Sequence, residues 1–277
     1  MTTQYFKDSS FLRKNKILYQ KDLERLNSFE YIYTQLRRKE NRVYTDEIVE
    51  SLPVIKGNHL SNDPFLKKEW QIRTRSLKKL VNYFKKKKPM SLLELGCGNG
   101  WLSHHLAVSF PHGNILAMDI NETELLQGQR VFGRLYPNLT FIRADIFSCD
   151  LGNQKFDFII LAGTIQYFPD LNELIDKLLQ LLSPYGEVHI LDSPFYSPNE
   201  LDGARRRSED YFRELGYPEM NSRYHHHSWK ELEGYNYKIL YNPFSFLNKL
   251  YQKINNDSPF PWVTIKSKAL LHDLKSL

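Results

Sequence analysis

The chain has 277 residues, and 41 % of them are hydrophobic, which allows a sizeable buried core and excludes a disordered protein. Lys and Arg number 38 against 32 Asp and Glu, so the formal charge of +6 permits an anionic partner without requiring one. Two cysteines exclude a disulfide framework and favour a reducing compartment. No signal segment opens the sequence, and no apolar run approaches the roughly 20 residues of a membrane span, so we expect a cytoplasmic protein without a membrane span.

Helical spacing dominates the first part of the chain, from about residue 11 to residue 85. Apolar side chains recur every three or four residues at Tyr19, Leu23, Tyr33, Leu36, Trp70, Leu77, Leu80 and Phe84. The basic run Lys85–Lys88 and the following Pro89 predict the end of a helix, because cations favour a helix C-terminus and proline stops it. We therefore predict a helical N-terminal cap over residues 1–70 and a second domain over residues 71–277.

Beyond Pro89, short apolar runs alternate with helical patterns. These runs are Ser91–Leu95, Asn114–Asp119, Leu139–Asp145, Phe156–Ala162 and Glu187–Asp192. Continuous apolar strands separated by helices indicate a parallel sheet that is covered on both faces. Two further strands are predicted near the end of the chain, at Tyr237–Tyr241 and Trp262–Lys266.

A glycine-rich turn, Glu94-Leu-Gly-Cys-Gly-Asn-Gly100, follows the first of these strands. Glycines at a strand-to-helix turn let the backbone approach a ligand closely, and Asp119, which ends the next strand, is placed to accept hydrogen bonds from a ribose. A dinucleotide fingerprint has a third glycine where this chain has Trp101. A phosphate-binding P-loop is excluded, because no Lys-Ser/Thr follows the glycines.

The turn resembles motif I of the class I S-adenosylmethionine-dependent methyltransferases, and the resemblance extends from about Ser91 to Asp192. It implies a doubly wound, mostly parallel α/β sheet of seven strands, the Rossmann-like methyltransferase fold, with S-adenosyl-L-methionine as the cofactor. It further implies that Glu94 lies near the amino group and Asp119 near the ribose of that cofactor. The residues that the resemblance assigns to the cofactor are Glu94, Gly96, Cys97, Gly98, Asn99, Gly100, Asp119, Ile120, Asp145, Ile146, Leu161, Ala162 and Gly163.

The segment of about residues 194–227 is predicted to form a lid over the substrate. It contains a helix from Pro198 to Leu215, and insertions at this place rise above the edge of the sheet where ligands bind. Three aromatic side chains of the lid, Tyr211, Phe212 and Tyr224, are predicted to line a substrate pocket. Ordinary core packing of the same helix face is the alternative.

Four residues are candidates for the chemical step. His225, His226 and His227 follow the helix of the lid, and a near-neutral imidazole can take a proton from the substrate. Tyr167 directly follows the fourth strand of the parallel series and is the fourth candidate. A solvent-exposed or structural histidine run is the competing interpretation, and no metal site is predicted.

These observations predict an enzyme that moves a methyl group to an oxygen or nitrogen of a small, aromatic or apolar metabolite. The Asn/Asp-Pro-Pro-aromatic motif of base-amine methylation is absent after the fourth strand. Lys85–Lys88 leaves an RNA (tRNA or rRNA) methyltransferase as one alternative, although no RNA-binding module accompanies it. A non-catalytic, cofactor-binding partner protein is the other, and the oligomeric state is not predicted.

Overall fold

The computed structural model describes residues 10–21, 23, 27–55, 63–249 and 257–266. Its strands are β1 (Phe11–Lys14), β2 (Ile17–Gln20), β3 (Ser91–Leu95), β4 (Asn114–Asp119), β5 (Leu139–Arg143), β6 (Phe156–Ala162), β7 (Leu182–Leu191), β8 (Asn236–Tyr241) and β9 (Trp262–Lys266). Its helices are α1 (Asn27–Lys39), α2 (Asp46–Ser51), α3 (Pro64–Lys87), α4 (Trp101–Ser109), α5 (Glu122–Val131), α6 (Leu171–Gln180) and α7 (Pro198–Leu215). Short 3-10 turns occupy Ile165–Tyr167, Pro218–Arg223 and Trp229–Leu232.

The strands of the described chain form one sheet in the order β1-β2-β5-β4-β3-β6-β7-β9-β8. Strands β5, β4, β3, β6 and β7 are parallel, and β9 is antiparallel to both of its neighbours, β7 and β8. Helices α4, α5 and α6 connect β3 to β4, β4 to β5 and β6 to β7, as in a doubly wound sheet, and a loop connects β5 to β6. The predicted fold class is therefore confirmed.

The sheet has nine strands rather than the predicted seven, because a hairpin extends its β5 edge. Strands β1 and β2 are antiparallel, and Leu18 and Tyr19 of β2 pair in parallel with Ile142 and Arg143 of β5. The helical prediction was wrong for residues 11–20. Two four-residue strands are too short for the periodicity of apolar residues to distinguish them from a helix, and the open edge of β5 supplies hydrogen bonds that a pattern does not reveal.

Helix α3 begins and ends as its sequence dictates. The Asp63 side chain caps its start by accepting hydrogen bonds from the first turn, and Pro64 occupies the first position. Lys88 ends the helix in the left-handed conformation at φ 53°. Helix α3 continues through residue 70, and the division of the chain into two domains at that residue stays a prediction. Residues 1–9 of the first predicted domain and 267–277 of the second lie outside the described part.

Two apolar layers cover the faces of the sheet. Leu93 and Leu116 belong to one buried cluster, whereas their neighbours Leu92 and Ile115 belong to the other, as alternating side chains of a strand require. A third, smaller cluster joins α1 to the lid through Leu36, Phe212 and Met220. The lid and the N-terminal helix therefore form one cap. None of the helices in the described residues is long and apolar enough to cross a membrane.

Candidate functional site

The glycine turn between β3 and α4 depends on backbone conformations that favour glycine. Gly96 and Gly100 have φ values of 74° and 75°. A Cβ on Gly96 would lie 2.3 Å from Cγ2 of Thr164, and one on Gly100 would lie 2.5 Å from Cε1 of Phe141. The turn thus brings bare backbone to the carboxyl edge of the sheet.

Asp119 ends β4 beside this turn, and backbone groups hold its carboxylate in place. Gly98 N donates to Oδ2 over 2.7 Å, and Asn121 N donates to Oδ1 over 2.8 Å. Burial raises the pKa of Asp119, and these backbone hydrogen bonds oppose that rise. The result is a fixed carboxylate next to the glycine turn.

Glu94 of β3 is a buried carboxyl group that lacks a cation. Its Oε2 accepts a hydrogen bond from the Ser103 hydroxyl of α4, and no basic side chain among the described residues forms an ion pair with it. Burial raises the pKa of Glu94 to about 8, and the nearby charge of Asp119 adds to the rise. A positively charged ligand would find a partner here.

A cavity of about 550 Å³ opens over the carboxyl ends of β3, β4, β5 and β6. Eleven of the thirteen residues assigned to the cofactor line it, namely Glu94, Gly96, Cys97, Gly98, Asn99, Asp119, Ile120, Asp145, Ile146, Ala162 and Gly163. The other two support the wall, because Gly100 packs against Phe141 and Leu161 is fully buried in the sheet. The predicted cofactor residues are thus gathered in one place, and their individual roles stay predictions.

Glu124 of α5 also lines the cavity, and sequence reasoning missed it as a site residue. Glu124 lies three residues after the helix cap Asn121, where a glutamate is common at a helix start. Its position therefore suggested a role in the helix rather than in a site. Burial raises the pKa of Glu124 to about 7, with the charge of Asp119 as the next cause. Together with Glu94, Asp119 and Asp145 it makes the sheet side of the cavity acidic, which fits a ligand that carries a sulfonium and an ammonium group.

The three candidate histidines occupy different environments. His225 lines the cavity, and its backbone N donates to Gln166 O over 2.7 Å. His226 lies outside the cavity wall, where Nε2 is 2.9 Å from the hydroxyl of Ser208. His227 is buried with Nδ1 3.0 Å from Oε1 of Glu231 and Nε2 3.0 Å from the Ile165 carbonyl. Both of its ring nitrogens thus have fixed partners.

The run therefore brings one histidine to the cavity and commits the other two to contacts elsewhere. Tyr167, the fourth candidate, lines the cavity. Among the residues that the structure describes, no group of three or more His, Cys, Asp or Glu side chains converges as metal ligands would.

The predicted substrate residues stand behind the cavity wall rather than in it. Tyr224 contacts Tyr167 edge to face at 6.0 Å between ring centroids, and Phe212 is buried against Tyr224. Tyr211 is exposed, and its hydroxyl donates to Glu40. These lid residues hold Tyr167 and the N-terminal segment in position.

Aromatic rings from the N-terminal segment supply the actual cap side of the cavity. Phe29 and Tyr33 of α1 surround Tyr167 at centroid distances of 6.0 and 5.7 Å. Trp70 of α3 contacts Trp101 at 5.3 Å. Helical spacing predicted that Tyr33 and Trp70 lie on the buried faces of helices. The aromatic composition was the available signal, but it could not say which rings meet.

The lysine run Lys85–Lys88 lies at the end of α3 and contributes nothing to the cavity wall. Lys87 Nζ is 3.6 Å from Oε1 of the buried Glu187. One exposed lysine of the run thus forms an ion pair with a buried glutamate.

With this geometry established, residues 86–238 match a family described as a methyltransferase domain. The chain belongs to that family. The resemblance to the class I S-adenosylmethionine-dependent methyltransferases is thereby confirmed, and S-adenosylmethionine is the cofactor of such enzymes. The match covers more than half of the chain and includes strands β3 to β7 and the first half of β8.

Curated relatives cover different parts of the sequence. Phosphoethanolamine N-methyltransferase 1 of Triticum aestivum is 26 % identical over 196 residues, which are 69 % of this chain and 37 % of that protein. Malonyl-[acyl-carrier protein] O-methyltransferase of Acetivibrio thermocellus is 34 % identical over 100 residues, which are 36 % of this chain and 34 % of that protein. The matches thus span little more than a third of either relative.

A solved structure shares the fold over most of the methyltransferase. Magnesium protoporphyrin IX methyltransferase from Synechocystis PCC 6803, crystallised with SAH (S-adenosylhomocysteine, the demethylated cofactor), aligns with a TM-score of 0.55 at 15 % identity. The alignment covers 89 % of this chain and 100 % of that one. At such low identity the likeness concerns the fold.

Proposed function

We propose that this methyltransferase transfers a methyl group from S-adenosylmethionine to an oxygen or nitrogen of a small metabolite with an aromatic or apolar body. One observation carries the proposal: a single cavity has an acidic, glycine-lined floor at the strand ends and an aromatic cap. When bound, the cofactor supplies an electrophilic methyl group on a positively charged sulfur. Of the two relatives reported above, one is an N-methyltransferase and the other an O-methyltransferase, so similarity to them is compatible with either acceptor atom.

The chemistry of the floor residues suits this cofactor. Glu94 is a buried carboxyl group without a cation, suited to an ammonium group, and Asp119 is suited to the ribose hydroxyls. The left-handed turn at Gly96 leaves no room for a side chain. The cap then aligns the acceptor and excludes water, which an in-line displacement needs.

His225 is the side chain best placed to accept the proton of an O–H or N–H acceptor. It lines the cavity, and its ring makes no hydrogen bond to the described residues. Burial lowers the pKa of His225 below 6.5, and the neighbouring His227 contributes to the lowering. The ring is therefore neutral near pH 7 and can accept a proton.

Calorimetric titration tests the proposal directly. S-adenosylmethionine and SAH should each bind the wild-type protein saturably, and Asp119→Ala should weaken both by roughly tenfold or more, as expected for loss of a hydrogen-bonding carboxylate. Asp202→Ala, a change at an exposed carboxylate of α7, should leave both affinities unchanged. Absence of binding to either ligand would exclude the proposed function. Binding without turnover on any metabolite would favour a non-catalytic cofactor-binding partner instead.

A further inference from the structure

Five charged side chains of the N-terminal segment alternate in sign along the cap side of the cavity, and we name them the arginine ladder: Arg37, Glu40, Arg42, Glu69 and Arg73. Arg37 Nη1 donates to Oε2 of Glu40 over 2.6 Å. Arg42 Nη2 donates to Oε2 of Glu69 over 2.7 Å, and Arg73 Nη2 donates to Oε1 of the same carboxylate over 2.7 Å. The ladder connects α1, the loop that follows it, and α3.

The ladder has an excess of positive charge that faces the cavity. Its three guanidinium groups exceed its two carboxylates, and all three arginines line the cavity. Each guanidinium has five N–H donors. Arg37 donates to Glu40 and Tyr167 and also contacts Tyr33, whereas Arg42 and Arg73 each donate one hydrogen bond, to Glu69. Most N–H groups of Arg42 and Arg73 therefore have no hydrogen bond to the described residues. Arg223 of the lid adds a further cation to the wall and forms no ion pair with a described carboxylate.

Two of these guanidinium groups lie close to aromatic rings. The Cζ atom of Arg37 lies 4.8 Å from the ring centroid of Tyr33, and that of Arg73 lies 4.8 Å from the centroid of Trp70. A guanidinium that packs on a ring keeps its N–H edges free, and such an edge binds a carboxylate or phosphate through two parallel hydrogen bonds.

Charge is distributed so that the two halves of the cavity suit different ligands. The carboxylates Glu94, Asp119 and Asp145 stand at the strand ends, where the cofactor residues are gathered. The arginines stand on the cap, where the acceptor is expected. Arg37 Nη2 also donates to the hydroxyl of Tyr167 over 2.6 Å, which ties the ladder to the residue that follows β6.

We propose that the methyl acceptor carries an oxyanion, a carboxylate or a phosphate, and that the arginine ladder binds it with Arg42 at the centre. This inference rests on the proposed function, because it names the substrate class of the same cavity. Arg42 is the central member, since its two Nη atoms face the two carboxylates of the ladder at 3.8 and 2.7 Å. The ladder has three guanidinium groups against two carboxylates, so one singly charged oxyanion would neutralise its net positive charge.

Inorganic phosphate and acetate serve as probes for the two kinds of oxyanion. Each is titrated into the SAH-saturated protein at constant ionic strength, and the melting temperature is recorded. We expect a saturable rise for at least one probe, and the tighter probe identifies the group as phosphate or carboxylate. Arg42→Gln should weaken the response roughly tenfold or more, because a charged hydrogen-bonding partner is lost. Arg134→Gln, an exposed residue outside the cavity, should leave it unchanged.

Arg42→Lys separates recognition from folding. It keeps the positive charge near both glutamates but lacks the planar fork, so it should fold and still show a weakened response. An unsaturable response, or one that is equal in the wild type and in Arg42→Lys, overturns the inference while SAH binding leaves the proposed function standing. Loss of SAH affinity in Arg42→Lys also overturns it, because the ladder would then belong to the cofactor. Failure of the wild type to bind SAH overturns the proposed function itself.

Discussion

Two glutamates of the central sheet are almost equally buried yet have opposite electrostatic surroundings. Glu94 on β3 is 3 % exposed and Glu187 on β7 is 1 % exposed. The pKa of Glu94 is raised to about 8 by burial. The pKa of Glu187 lies well below its ordinary value, because contacts with described partners outweigh the effect of burial.

The partners of Glu187 are supplied by the fold itself. Lys266 Nζ lies 2.9 Å from its Oε1, and the hydroxyl of Tyr83 donates to its Oε2 over 2.8 Å. Nε2 of the buried His189 lies 3.3 Å from the same Oε2. Glu94, in contrast, has the hydroxyl of Ser103 and no cation from the described chain.

This difference distinguishes a carboxylate that the fold pairs with a cation from one that has none among the described residues. A buried charge is tolerated when the protein pairs it and is costly when the protein does not. The pairing of Glu187 makes it part of the scaffold. The missing cation at Glu94 is a cost that a positively charged ligand would remove, which is why we expect the two residues to respond oppositely to the same substitution.

Glu187→Gln should have the largest effect, a loss of about 3 kcal/mol in the free energy of unfolding. Tyr83 and the partly exposed Lys266 both lose a charged acceptor, and a hydrogen bond to a charged group contributes about 1.5–3 kcal/mol. The stability contributed by a lowered carboxyl pKa is present above about pH 4.5 and is lost as the pH falls toward the folded-state pKa. Urea denaturation at pH 7 measures the change. Glu209→Gln, an exposed change on α7, is the matched control. A loss below about 1 kcal/mol, the range of exposed ion pairs, would contradict the structural role.

Glu94→Gln should act mainly on the ligand. Removal of the carboxylate should weaken SAH binding by about 1.5–3 kcal/mol, roughly tenfold to a hundredfold, as for a charged hydrogen bond. The raised pKa of Glu94 means that the unliganded protein loses stability as the pH rises from about 4.5 to about 8. The variant should therefore be more stable than the wild type at pH 8 without ligand. Calorimetry measures the change in SAH affinity, and urea denaturation at pH 8 measures the change in stability. If Glu94→Gln were less stable than the wild type at pH 8, Glu94 and Glu187 would respond in the same direction and the contrast between them would be wrong.

The cofactor half of the site could be predicted from the sequence because its residues are local to strand ends. The glycine turn, Asp119 and Asp145 each follow a strand of the same parallel sheet, and parallel strands end at one edge. The arrangement of the strands therefore brings these segments together. Each residue can be recognised in the sequence because it lies within a few positions of the end of its strand.

The cap half could not be predicted, because its contacts join distant parts of the chain. Arg37 meets Tyr167 across 130 positions, and no periodicity encodes that encounter. Helical spacing marked Tyr33 as buried without saying that it faces a cavity. The same limit applies to the histidine run, where all three histidines were candidates for the chemical step, while the structure buries His227 against the Ile165 carbonyl.

The affinity for SAH should depend on pH through Glu94. At pH 7 a carboxyl group with a pKa of about 8 is mostly protonated, so binding of an ammonium group should release a proton. Affinity should then rise by up to about tenfold per pH unit as the pH increases toward 8. The binding enthalpy should vary with the ionisation enthalpy of the buffer. Glu94→Gln should reduce this proton release, and an undiminished release would assign it to Glu124, whose pKa is raised to about 7.

Ser103→Ala should have the smallest effect, and it tests whether Glu94 depends on the hydrogen bond from the Ser103 hydroxyl. The hydroxyl of Ser103 stabilises the charged form of Glu94, so its loss should raise the pKa of Glu94 further. We expect SAH affinity at pH 7 to fall by about 1 kcal/mol, roughly fivefold, the net value of a typical hydrogen bond. Ser103→Ala added to Glu94→Gln should have almost no further effect, because the partner is already changed. Additive losses in the double variant would show that Ser103 supports the site through α4 rather than through the carboxylate.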